Sequence, residues 1–234
     1  MPDVLALGSD SLHSFMPQNI AVRVEPMLRI QGYRDLSRVR PKVRQVATEM
    51  ASMASEVFEP VVRYRCCRIE RQKDQLLQLA PGVQLHADAF KKFLPQCKEV
   101  IVFVLTIGER FDERMDELQS GDQLLEALFL DTAGWLGVEA VSKQFAATLR
   151  SQALAAGVKL TRRLSPGYSF KIDNQMCEWS LYEQEQLFSL FGDEQLPVRM
   201  LESCAMLPRM SRSGLYGLKE STASVFASTD SGTA

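Results

Sequence analysis

The sequence is poor in the groups that most metal and nucleophile chemistry requires. Two histidines, His13 and His86, stand among 234 residues. No His-x-x-x-His or Cys-x-x-Cys pair offers zinc-ligand spacing, and no metal site is expected. There is no Gly-x-Ser-x-Gly elbow, no phosphate loop and no Gly-x-Gly-x-x-Gly turn, so the serine-hydrolase, P-loop and dinucleotide signatures are all missing. No apolar run approaches the roughly 20 residues that span a bilayer. The start, Met1-Pro2-Asp3, lacks the basic opening of a secretory signal. Neither sign of charge dominates: the net charge is -2, which gives no general field for nucleic acid or a membrane surface. The five cysteines are an odd count, and only Cys66 and Cys67 lie close together. Neighbours in a strand face opposite ways. Free thiols in a reducing cytoplasm are therefore expected, not a disulfide framework.

What is present is ordinary for a soluble globular protein: 46% hydrophobic and 24% charged residues, enough for one large domain or two small ones. Residues 1–19 mix Gly, Ser, Asp, Pro and Met without period and read as a flexible arm. Weak alternation predicts a short strand over Ile20–Val24. A helix follows from a Ser37 cap to Pro60, with Val39, Val43, Val46, Met50, Met53 and Val57 in one stripe. Val61–Glu70 reads as a strand. Its Arg63, Arg65 and Arg68, continued by Arg71 and Lys73, form either a solvated face or a docking patch for an acidic partner. Residues 74–85 read as loop and short strand around Pro81-Gly82, and Asp88 caps a helix carrying Phe90, Phe93 and Leu94. Val100–Ile107 is a continuous apolar run, rich in β-branched residues, that predicts a buried strand. Gly108 and a charged helix over Glu109–Leu118 come next. Asp122 caps the longest helix, which Gly157 ends. Gly134 and Gly137 inside it mark close packing. Asp131 and Glu139 in the same helix are either ion-paired or ligand-facing. A further helix is predicted over Met176–Phe191, then strands at Val198–Leu201 and Leu215–Leu218. The Ser/Thr/Ala/Gly-rich residues 221–234 read as a disordered tail.

Two aperiodic segments stand out. In Arg163-Leu164-Ser165-Pro166-Gly167-Tyr168, Pro166 fixes its own φ, and Gly167 lets the backbone approach a ligand. Arg163 offers a planar fork for a carboxylate, and Tyr168 offers a ring face for a cation or a flat heterocycle. These groups suit a zwitterion with an extra positive charge; a plain Pro-Gly turn is the alternative. About 35 residues later comes Glu202-Ser203-Cys204-Ala205-Met206-Leu207-Pro208, then Ser211-Arg212-Ser213-Gly214.

Together these segments resemble the S-adenosylmethionine-binding activation domain of cobalamin-dependent methionine synthase, and more closely the small proteins built of that domain alone. The family pattern is Arg-x-x-Pro-Gly-Tyr, a helix, then Glu-Ser-x-x-Met-x-Pro-x-x-Ser-x-Ser-Gly. Here Arg163, Pro166, Gly167, Tyr168, Glu202, Ser203, Met206, Pro208, Ser211, Ser213 and Gly214 match it. Residues 22–33 resemble the opening of the stand-alone proteins: an extended lead, a short helix and a Gly-Tyr turn. The sequence departs from the synthase where a tyrosine pair follows the second motif, since Ala223-Ser224-Val225-Phe226 stands there. It departs again after Tyr168, which continues Ser169-Phe170-Lys171-Ile172-Asp173.

The resemblance implies an α+β fold: a curved, mainly antiparallel sheet with long helices packed around it, over residues 20–220. It implies S-adenosylmethionine as ligand, held by Arg163, Pro166, Gly167 and Tyr168. Thr106, Gly108, Glu202, Ser203, Ser211, Ser213 and Gly214 would line the cleft or face cobalamin. The cobalamin would be carried by a partner methyltransferase or corrinoid protein, because this chain lacks the Asp-x-His-x-x-Gly motif that ligates cobalt. An electron donor such as flavodoxin or a reductase completes the implied set of partners. The implied task is reductive methylation of the partner's cobalamin, through positioning and not through any catalytic residue of this chain. Two alternatives stand beside it: a non-catalytic assembly or regulatory subunit, and an S-adenosylmethionine sensor.

Overall fold

The computed structural model describes residues 11–220. The tail expected over 221–234, the departure at 223–226 and the first ten residues of the arm lie outside the described residues. The elements are β1 (His13–Phe15), α1 (Val24–Ile30), α2 (Pro41–Val57), β2 (Val61–Lys73), β3 (Leu76–Leu79), β4 (Val83–His86), α3 (Asp88–Phe93), β5 (Cys97–Thr106), α4 (Glu109–Ser120), α5 (Leu124–Ala155), β6 (Val158–Leu160), β7 (Ser169–Ile172), β8 (Gln175–Glu178), α6 (Glu183–Ser189), β9 (Arg199–Met200), β10 (Met206–Leu207) and β11 (Ser211–Glu220).

The expected α+β architecture holds. Seven strands form one sheet in the order β4-β3-β2-β5-β11-β6, with β1 also paired to β2, and every described pairing is antiparallel. Strand β5 is the centre of this sheet. Its side chains alternate between two cores: Ile101, Phe103 and Leu105 face one side, and Val100, Val102 and Val104 face the other. Burial on both faces is why its sequence is a continuous apolar run with no period of two. Cys66 and Cys67 of β2 obey the same pleat, one buried in each core.

One face of the sheet packs against α1, α2, α4 and α5. Helix α5 is 32 residues long and lies beside α2 and α4. Its two interior glycines make room for aromatic rings: a Cβ on Gly137 would sit 2.6 Å from Phe58, and one on Gly134 would overlap Phe111. The other face is covered by α3, the β7–β8 hairpin and α6, around the buried Trp179.

Several expected elements differ. Residues 20–23 are not a strand; α1 begins at Val24, with Pro26 in its first turn, where a missing N–H costs nothing. Within the expected arm, His13–Phe15 pair with β2. Ser37 does not cap α2; Asp35 caps a 3-10 turn instead, and α2 starts at Pro41. Asp88 and Asp122 are not side-chain caps either; Asp88 lies in the first turn of α3, and Gln123 precedes α5. The loop expected over 74–85 is the β3–β4 hairpin. The helix expected over Met176–Phe191 is shorter. Residues 175–178 pair with β7 across Asp173-Asn174, both at positive φ (46° and 68°), the backbone of a tight two-residue turn. No described helix is long and apolar enough to cross a membrane.

Candidate functional site

The two sequence motifs meet at one open sheet edge. Strand β6 pairs with only the last residues of β11. Upstream of that, Thr161 N–H donates to the Gly217 carbonyl (2.9 Å), and Leu164 and Leu215 exchange main-chain hydrogen bonds (2.9 and 2.8 Å). Beyond Leu215 the edge has no strand partner. Main-chain polar groups alternate sides along an antiparallel strand. Since those of Gly217 and Leu215 face this edge, those of Ser213 and Ser211 face it too. The hexapeptide leaves the sheet at Leu164 and arches over this stretch. Gly214 permits the arch: a Cβ there would lie 2.5 Å from Ser165 Oγ and closer still to the Leu164 carbonyl.

Gly167, at φ +76°, lets the loop join the β7–β8 hairpin. Its N–H donates to the Trp179 carbonyl (2.7 Å), and the Trp179 N–H donates to the Tyr168 carbonyl (3.0 Å). The second motif is tied down by Gln184 of α6. Ser213 Oγ donates to Gln184 Oε1 (2.8 Å), and Gln184 Nε2 donates to the Cys204 carbonyl. Between the two motifs lies a cavity of about 280 Å³ lined by Pro166, Gly167, Tyr168, Leu181, Gln184, Cys204, Ala205, Met206, Ser211, Arg212 and Ser213. This is at the lower edge of the roughly 300–1,000 Å³ usual for small-molecule pockets.

A cluster of charge sits beside it. Arg212, only 6% exposed, donates from Nη1 to Glu139 Oε2 (2.9 Å) and to Ser142 Oγ (2.8 Å) on α5. Arg163 Nη1 is 4.0 Å from the same Glu139 oxygen, and its guanidinium lies 5.6 Å from the centre of the Tyr168 ring. Burial, and then the neighbouring Arg212, push the Arg163 guanidinium below its ordinary pKa; Tyr216, Glu139 and Tyr168 oppose the shift. Two partly desolvated guanidiniums thus share one carboxylate. The surplus positive charge suits a ligand anion.

The predicted site residues divide into groups. Pro166, Gly167, Tyr168, Ser211 and Ser213 line the one cavity; Arg163 stands behind Tyr168, outside the lining. Gly214 packs under the hexapeptide. Glu202 and Ser203 lie in the exposed β9–β10 turn and line neither cavity described here. Thr106 and Gly108 line a different cavity, of about 760 Å³, with Glu59, Pro60, Leu207 and Pro208. Successive residues of the second motif divide the two spaces, Met206 facing the smaller and Leu207 the larger. Gln184, Arg212 and Leu181 were not among the predicted site residues. The signal for Gln184 was a polar side chain on the same helical face as Leu181 and Phe188.

The chain shares the fold of a MetH reactivation domain. The crystal structure of the MetH reactivation domain bound to AdoHcy superposes with a TM-score of 0.63, over 88% of this chain and 78% of that one, at 13% sequence identity. No protein-family model matches the sequence, and no curated protein matches it.

Proposed function

We propose that this chain binds S-adenosylmethionine, and its demethylated product, across the open edge of β11, and that it presents the methyl group to a cobalamin carried by a partner protein. The observation that carries this reading is the convergence of the hexapeptide and the Ser211–Ser213 stretch on one cavity, beside a surplus guanidinium charge. The neighbour bound to AdoHcy supports the same ligand class.

Each part of the ligand has a counterpart. The amino-acid carboxylate suits Arg163 and Arg212, where it would supply the second negative charge that Glu139 alone does not. The sulfonium suits the face of Tyr168. The purine suits the outward main-chain groups of Ser211 and Ser213, which carry a donor and an acceptor on each residue. The small cavity takes one end of such a ligand, and the rest extends over Tyr168 toward Arg163. The chain's contribution to methyl transfer is placement: the sulfur–methyl bond breaks as the methyl passes to the partner's reduced cobalt, and the thioether product stays with this chain. A strong metal nucleophile needs no general base, and the site offers none. Positioning of this kind accounts for large rate factors without any catalytic side chain.

Titration calorimetry tests the reading. Wild-type protein should bind S-adenosylmethionine at a stoichiometry of one, and Arg163→Ala should weaken binding at least about tenfold, about 1.4 kcal/mol. Unchanged affinity in Arg163→Ala removes that arginine from the site. Absence of binding by the wild type removes the proposal. Binding without support for methylation of a reduced corrinoid protein selects the sensor reading instead.

A further inference from the structure

The basic stretch on β2 does not provide a free docking face. Arg63 Nη1 donates to Ser14 Oγ (2.9 Å), and Arg65 Nη1 donates to the Leu190 carbonyl at the end of α6. These two arginines hold β1 and α6 in place, which leaves Arg68, Arg71 and Lys73 exposed. The free cations gather elsewhere. Residues 23–44 contain seven basic and two acidic side chains, a net of +5; the chain as a whole is -2, so the remainder carries -7. Arg23, Arg29, Arg34, Arg38, Arg40 and Lys42 are exposed. Of these, only Arg38 enters an ion pair, with Asp35.

The stretch is one surface in space as well as in sequence. Helix α1 packs on α2 and on the 3-10 turn at Leu36–Arg38, and Arg44 Nη2 donates to the Leu36 carbonyl (2.7 Å). At its margin Ile30 is 49% exposed. Ligand chemistry is centred on Arg163 and β11, so this surface is separate in sequence from the motifs that form the cleft.

We infer that the α1–α2 face docks an acidic partner protein. Unpaired cations around an exposed apolar residue match the plan of a transient interface, with a small dry centre and a charged rim. Such a rim steers encounter with an oppositely charged face and discriminates partners by charge. A long polyanion fits less well. It would run off the patch onto surface that carries the remaining -7, including α4, with five acidic and two basic residues. The inference rests on the proposed function, which requires a one-electron donor protein to dock beside the corrinoid carrier.

The test uses the full chain and an FMN-loaded flavodoxin as the acidic probe. Association is measured by calorimetry or surface plasmon resonance at low and physiological salt. Wild-type association should weaken steeply as salt rises, because exposed charges are screened beyond about 8–10 Å. The triple variant Arg34→Glu/Arg40→Glu/Lys42→Glu should weaken it at least about tenfold, while the reversal Arg68→Glu/Arg71→Glu on β2 should change it little. Both variants should bind S-adenosylmethionine as the wild type does, which separates failure of this surface from failure of the ligand site. The inference is overturned by no salt-dependent association with the wild type, by equal effects of the two reversals, or by tighter, patch-dependent binding of a duplex oligonucleotide or of anionic vesicles than of flavodoxin.

Discussion

Gly214 is the position at which a single methyl group decides whether the site forms. The hexapeptide crosses β11 so closely that a Cβ would meet both Ser165 Oγ, at 2.5 Å, and the Leu164 carbonyl. The obstacle is partly main chain and cannot swing aside. Gly214→Ala should therefore cost about 1–3 kcal/mol of stability, the usual price of overpacking, and should abolish ligand binding. Chemical denaturation and calorimetry on the same variant check both. Intact binding would mean that the hexapeptide does not form the wall of the site. Cys97 gives a second prediction at this level. Burial pushes its thiol up to about 11 from the usual 9.0, with Lys219 pulling the other way. The fold thus favours the neutral thiol. This contribution is complete below pH 9 and is lost as pH climbs through 11, an alkaline loss of the order of 1–3 kcal/mol. In Cys97→Ala the decline in stability between pH 9 and 11 should be shallower; an identical slope would assign the loss to other groups.

Helix α5 positions the charge cluster, and its register depends on what its glycines admit. Gly137 receives Phe58, which lies in the link between α2 and β2, and Gly134 receives Phe111 of α4. Alanine is the better helix former by about 1 kcal/mol. Nevertheless Gly137→Ala should destabilise the protein by about 1–3 kcal/mol, since its Cβ would lie 2.6 Å from ring carbons of Phe58. It should also loosen the grip of Glu139 on Arg212, half a turn further on. Equilibrium denaturation with and without ligand checks this; a stabilised variant would show that the contact is slack. The same helix shows why one sequence expectation stayed open. Glu139 could be read as ion-paired or ligand-facing from its spacing, and the structure gives it the ion pairs with Arg212 and Arg163 without taking it out of reach of a ligand.

Across the whole molecule, the long, uniform stretches were the legible ones. The apolar run of β5, the stripe of α2 and the length of α5 follow from burial and period alone. Short elements were not. Residues 175–178 carry no alternation, so the β7–β8 hairpin was hidden except for its Asp173-Asn174 turn, and α1 was masked by β-branched residues ahead of Pro26. The cavity at β11 was legible only as two motifs whose distance apart no sequence period reports. Their meeting depends on the sheet order, which places β6 short of the N-terminal half of β11. That gap also explains why Thr106 and Gly108, although at the end of the central strand, look into another space.

The account stands or falls on where the ligand lies. A crystal structure of the protein grown with S-adenosylhomocysteine should show the nucleoside against Tyr168 and the Ser211–Ser213 edge, with its carboxylate within hydrogen-bond reach of Arg163 or Arg212. Density for the ligand in the larger space beside Thr106 and Gly108, or an unchanged β11 edge in a crystal saturated with ligand, would contradict it.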